Sequence, residues 1–145
     1  MAISSAVCNS FKVEILKAVH NFTASSNSFK LALYTSSASL GAGTTAYAST
    51  NEISNTAGSA YVAGGKALTS VTPVLSSSTA VCDFADISYT SASFTANGCL
   101  IYNDTASGDP GVCVVAFGAD KTVSSGTFTI QFPAADASNA IVRIA

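Results

Sequence analysis

The hydrophobic pattern is densest between Ala92 and Pro133. In GTFTIQFP, residues 126–133, Phe128, Ile130 and Phe132 fall on one side and Thr127, Thr129 and Gln131 on the other. Period two predicts a strand with one buried face. Val112–Phe117 is apolar on both parities and predicts a strand buried on both faces. ASFTANGCLIYN, residues 92–103, precedes it. The break between them holds Asp104, Gly108, Asp109, Pro110 and Gly111, all turn formers. Three neighbouring strands with tight connections predict an antiparallel sheet core.

Upstream, Val7, Phe11, Ile15, Val19 and Phe22 recur close to every four residues. That spacing predicts one helix over residues 4–21, capped by Ser4 or Ser5 and packed on the sheet. FKLALYT, residues 29–35, alternates as a strand with one polar-leaning face. Residues 36–60 are rich in Ser, Thr, Gly and Ala, and predict a surface excursion that touches a neighbouring subunit. A turn at Gly64-Gly65 leads to a short strand, which Pro73 ends or marks as a sheet edge. Further strands are expected over 79–87, bent near Asp86, and over 140–144. About seven strands and one helix make the fold class mainly β, a β-sandwich of which the jelly-roll is one form, in a single domain 1–145.

Composition sharpens this picture. Only 10% of the 145 residues are charged, and the net charge is -2. A weakly charged, hydroxyl-rich surface suits contact with neighbouring subunits better than free solution. Six Lys and Arg, scattered from Lys12 to Arg143, give no basic patch for nucleic acid. No apolar run reaches the ~18 residues that span a bilayer, so no membrane is expected. The N-terminus has no basic segment followed by an apolar one, so assembly in a cytoplasm is expected. The four cysteines, Cys8, Cys82, Cys99 and Cys113, are expected to be free and mostly buried.

Candidate chemistry is sparse. His20 is the single histidine, with no visible nucleophile or orienting acid. Asp83 and Asp86 lack a third ligand or an acid–base partner, and fit strand-end and turn roles. Gly41-Ala-Gly43 opens no helical period, so it is no dinucleotide fingerprint. No enzyme, cofactor or metal is expected. The low charge and the excursion predict a homo-oligomer, a trimer ahead of a dimer, with Thr45, Ala46 and Ala48 as candidate interface residues.

Several stretches together resemble small virion structural proteins of tailed bacteriophages. They are His20-Asn-Phe-Thr23, FKLALYT from Phe29, Tyr61-Val-Ala-Gly-Gly65 and Asp83-Phe-Ala-Asp86. Leu100-Ile-Tyr-Asn103, Phe117-Gly-Ala-Asp-Lys121 and Phe128–Pro133 complete the set, which covers nearly the whole chain. The resemblance implies a capsid cement or decoration protein on the surface of the virion. It would bind major capsid protein and copies of itself and stabilise the head passively. A phage tail or fibre component is the alternative, and a carbohydrate-binding module is a weaker one.

Overall fold

Two long strands carry the molecule. In this computed structural model, which describes residues 2–54 and 60–145, the elements are β1 (Ala6–Val7), α1 (Asn9–Leu16), β2 (Phe29–Tyr34), β3 (Lys66–Ala67), β4 (Ser70–Ser76), β5 (Thr79–Phe84), β6 (Ile87–Asn103), β7 (Gly111–Ile130) and β8 (Val142–Ile144). Residues 55–59, the end of the expected excursion, lie outside the described residues. All strand pairings are antiparallel, in sheets ordered β1-β7-β6-β2-β3 and β4-β5-β8. The fold is mainly β and sandwich-like, five strands against three, and not a closed barrel.

No break separates Val112–Phe117 from residues 126–130, as two distinct strands would require: β7 runs through both, and Gln131, Phe132 and Pro133 follow it. The strand bends instead. The rings of Phe117 and Phe128 have centroids 6.4 Å apart. Eleven residues of straight strand would separate them by roughly 36 Å. Register shifts between Tyr89 and Ala92, Ala92 and Phe94, and Ala96 and Gly98 mark the bend. Positive φ at Ser91, Gly118 and Ser125 (51°, 79° and 48°) turns the backbone. Bulges let the ribbon curl without losing its ladder, so polar residues that look like a loop stay in the strand.

The helix is shorter than its apolar spacing predicts. Val7 pairs with Cys113 in β1, and the Cys8 and Asn9 amides donate to Val112 and Ala42 carbonyls. The free edge of β7 therefore captures the first predicted turn. Cys8 takes the N-cap position with no side-chain cap, in place of Ser4 or Ser5. The far end closes at Ala18, whose φ is 57°. Val19 N–H donates to Glu14 O and Ala18 N–H to Ile15 O, the Schellman pattern, here without glycine.

Residue parity on β2, β6 and β7 separates two faces of the large sheet. Phe29, Leu31, Leu33, Cys99, Ile101 and Cys113 share the face toward the small sheet. There Phe29 stacks on Phe22 at 4.4 Å and meets Phe84 of β5 at 5.8 Å. Ala32, Tyr34, Leu100, Tyr102 and Val114 share the other face, and all are buried. The polar-leaning face expected of β2 is thus covered. Its cover is the segment 36–53 together with the N-terminal residues. The Thr45 carbonyl accepts from Gly111 N–H at 2.9 Å, and Tyr34 Oη donates to Ala48 O at 2.8 Å. The Ile53 amide donates to Leu33 O, which closes part of the β2 edge. The Ser/Thr/Gly/Ala composition serves close approach of backbone to sheet, so the described part of the excursion is an outer layer of its own domain.

Gly65 shows how tight that edge is. Its φ is 85°, and an added Cβ would stand 2.2 Å from the Leu31 carbonyl oxygen. Only glycine can pass there.

Candidate functional site

The sequence-predicted interface residues lie on the outer layer. Thr45 and Ala48 are exposed, while Ala46 is half-buried and bridges to Pro110. Their backbone is tied inward, through Thr45 O to Gly111, Ala48 O to Tyr34 and the Ala46 bridge. Thr45 and Ala48 are thus both exposed on the outer layer, with Ala46 partly covered between them in sequence.

Beneath this layer, four of the five tyrosines gather near Glu52. Its carboxylate accepts from Tyr47 Oη at 2.6 Å, from Gly64 N–H at 2.8 Å and from Tyr61 Oη. Tyr61 Oη in turn accepts from Leu33 N–H. Tyr102 stacks on Tyr47 at 4.7 Å and donates to Gly64 O at 2.6 Å, and Tyr34 completes the group. Burial, then the bond to Glu52, pushes the Tyr47 hydroxyl up to about 12. Burial pushes Tyr34, Tyr61, Tyr89 and Tyr102 up as well. These hydroxyls stay protonated and act as donors. The cluster ties the excursion to β2 and the Gly64-Gly65 turn. Sequence reasoning missed Glu52, whose only local signal is an isolated acid in an uncharged run. Because Tyr34, Tyr61, Tyr89 and Tyr102 are buried, they form no exposed aromatic groove for a sugar.

His20 lies beyond the helix, in the core. Its Nε2 donates to Glu14 Oε2 at 2.8 Å, and its Nδ1 faces Asn103 Nδ2 at 3.2 Å. Phe11 and Phe22 pack beside the ring at 4.9 and 6.3 Å. Asn103 also holds the β6–β7 turn, since its Oδ1 accepts from Thr105 and Ala106 amides. This is a satisfied buried network that fastens the helix end to the hairpin. Asp83 Oδ1 accepts from its neighbour Phe84 N–H, and Asp86 Oδ1 from Phe132 N–H. Both fit the expected strand-end roles, and the structure does not unite them with His20 in one site.

All four cysteines are free thiols: Cys8, Cys99 and Cys113 buried, Cys82 half-buried. Burial pushes Cys8 and Cys82 up to about 11 and Cys99 up to about 12. Cys113 rises too, by burial first and then by its proximity to the other thiols. Such thiols pack as small hydrophobes and make poor nucleophiles.

Exposed apolar side chains cluster on the small sheet, while Val13 and Leu16 of α1 stand exposed elsewhere. Leu75, Ala80 and Ile144 are cross-strand neighbours in one row. Leu75 is 72% exposed and Ile144 55%. Val71 and Val74 of β4 are exposed as well. Both outer strands, β4 and β8, have a free edge. A bulge between Val71 and Val74, around Pro73, interrupts the β4 ladder, as befits an edge strand. No protein-family model, curated protein or solved structure matches this chain. Pro73 among Val71, Val74 and Leu75 was the sequence signal for this surface, legible as an edge but not as an apolar patch.

Proposed function

We propose that this chain is a structural subunit of a virus particle, a capsid cement or decoration protein of a tailed phage. The resemblance set out above supports the virion assignment. The observation that carries the assembly role is the row Leu75–Ala80–Ile144, whose Leu75 and Ile144 side chains stand in water on the two outer strands. Monomers rarely keep such surface open, and neighbours that cover it gain its hydrophobic free energy. The layer order gives the subunit two different outward faces. The 36–53 cover, with Thr45 and Ala48, lies on one side of the large sheet. The small sheet lies on the other. One face would meet major capsid protein and the other a second copy, each through an interface of roughly 1,000 Å² or more. The expected oligomer is a trimer, with a dimer next.

Two variants and one count test this. Leu75→Glu combined with Ile144→Glu places charge on the apolar row while sparing the core. Light scattering is expected to show a smaller species than wild type, and particles carrying the variant are expected to lose heat tolerance. The triple change Thr45→Glu, Ala46→Glu and Ala48→Glu addresses the opposite face. A monomeric wild type, together with particles unaffected by either variant, would defeat the proposal. Quantitative mass spectrometry of purified particles separates a decoration protein, at hundreds of copies, from the tail or fibre alternative at a few dozen or fewer.

A further inference from the structure

Between the bent end of β7 and the inner face of the large sheet lies an open cleft of about 430 Å³. Leu31, Ile101 and Val115 form its floor, and Phe128, Ile130 and Phe132 its wall. These three wall residues alternate inward as their sequence period requires, yet each is only half-buried because no described residue fills the space before them. Protein interiors rarely leave voids larger than a water molecule. This volume would hold about fourteen waters, against walls that offer them few partners. It falls within the roughly 300–1,000 Å³ of small-molecule sites.

The polar side chains at the cleft are few. Lys121, Thr129 and Gln131 line it, and no Asp or Glu does. Asp120, next to Lys121, is engaged by Asn97 at 2.8 Å. Asp86 is committed to the Phe132 amide. Among the described residues Lys121 has no ion-pair partner. An apolar trough with one unpaired cation matches an apolar chain with an anionic head.

We infer that this cleft binds a medium-chain fatty carboxylate, its alkyl chain lying between Phe128, Ile130 and the sheet floor, its carboxylate held by the Lys121 ammonium. Binding needs no covalent step and leaves both outward faces of the subunit free.

Calorimetric titration with octanoate, decanoate and dodecanoate, each below its micellar concentration, tests the assignment. Affinity is expected to tighten roughly tenfold for each two added methylenes until the cleft is full. Lys121→Glu, an exposed change, is expected to weaken decanoate about fivefold and to leave decanol unchanged. Ile130→Trp is expected to abolish both, with circular dichroism melts confirming the fold. The inference is overturned if wild type shows no saturable binding. It is also overturned if affinity ignores chain length, or if Lys121→Glu binds decanoate as wild type does. A wild-type oligomer that Ile130→Trp splits, with no fatty-acid binding, would show that a second copy fills the cleft instead.

Discussion

Ala18 holds a left-handed backbone, φ 57°, where helices commonly end on glycine. A Cβ in that region costs about 1 kcal/mol or more. Ala18→Gly is therefore expected to stabilise the protein by about 0.5–1 kcal/mol, read as a shift of the urea midpoint. The tyrosine cluster gives two opposite expectations. Glu52→Ala removes the acceptor for Tyr47, Tyr61 and Gly64 and is expected to cost about 2–3 kcal/mol. Tyr89 is buried, with a hydroxyl that has no hydrogen-bond partner. Tyr89→Phe is expected to be neutral or stabilising by about 1 kcal/mol, measured the same way. Neither pairing was legible in the sequence. Glu52 meets Tyr61 across the chain's least patterned stretch, and His20 meets Asn103 across 83 positions of sequence. Contacts set by tertiary approach leave no local spacing to read.

Elements were more legible, because burial imposes period. FKLALY became β2, and the inward side of Phe128, Ile130 and Phe132 is as the alternation requires. Two features escaped. The capture of Val7 by the β7 edge cut into a helix whose apolar spacing was sound, since an unpaired strand edge outweighs a marginal helical turn. The bend of β7 escaped too, because Ser124, Ser125 and Gly126 look the same in a bulge as in a loop. That bend also explains why the β7 wall is half-buried. Phe128→Ala is accordingly expected to cost about 1–3 kcal/mol rather than the 3–5 of a sealed core site. Denaturant unfolding checks it, and a larger loss would mean that the cleft is closed in solution.

At the scale of the molecule, the sandwich class followed from strand count and turn chemistry. What covered each sheet did not. The 36–53 segment carries no strong apolar period, yet it buries Tyr34 and Tyr102 by bringing backbone close to the sheet. The thiols report on the whole core. Their folded values lie above the ordinary 9.0, so the unfolded chain ionises first as pH rises. Their contribution to stability is complete below about pH 9 and is lost as pH climbs through about 11 to 12. The urea midpoint is expected to fall steeply over that window. Native thiol titration at pH 8 is expected to be slow, with four groups reacting promptly after unfolding without reductant. Fast reaction of more than Cys82 in the native state would contradict the burial.

The longer of the two partner strands of FKLALY, β6, is made late. β2 pairs with residues 98–103 of β6, and β1 with residues 113 and 114 of β7. Ribosomes add roughly 5–20 residues per second. The nascent chain therefore carries an apolar, β-prone hexapeptide with its β6-facing edge open for several seconds before that ladder can close. Such segments recruit one another between chains. Yield in a cell depends on this interval as much as on the finished fold. Crowded polysomes and high temperature, which raise encounters during the wait, would draw the chain toward aggregates, even though the completed fold buries every residue of that strand but Lys30.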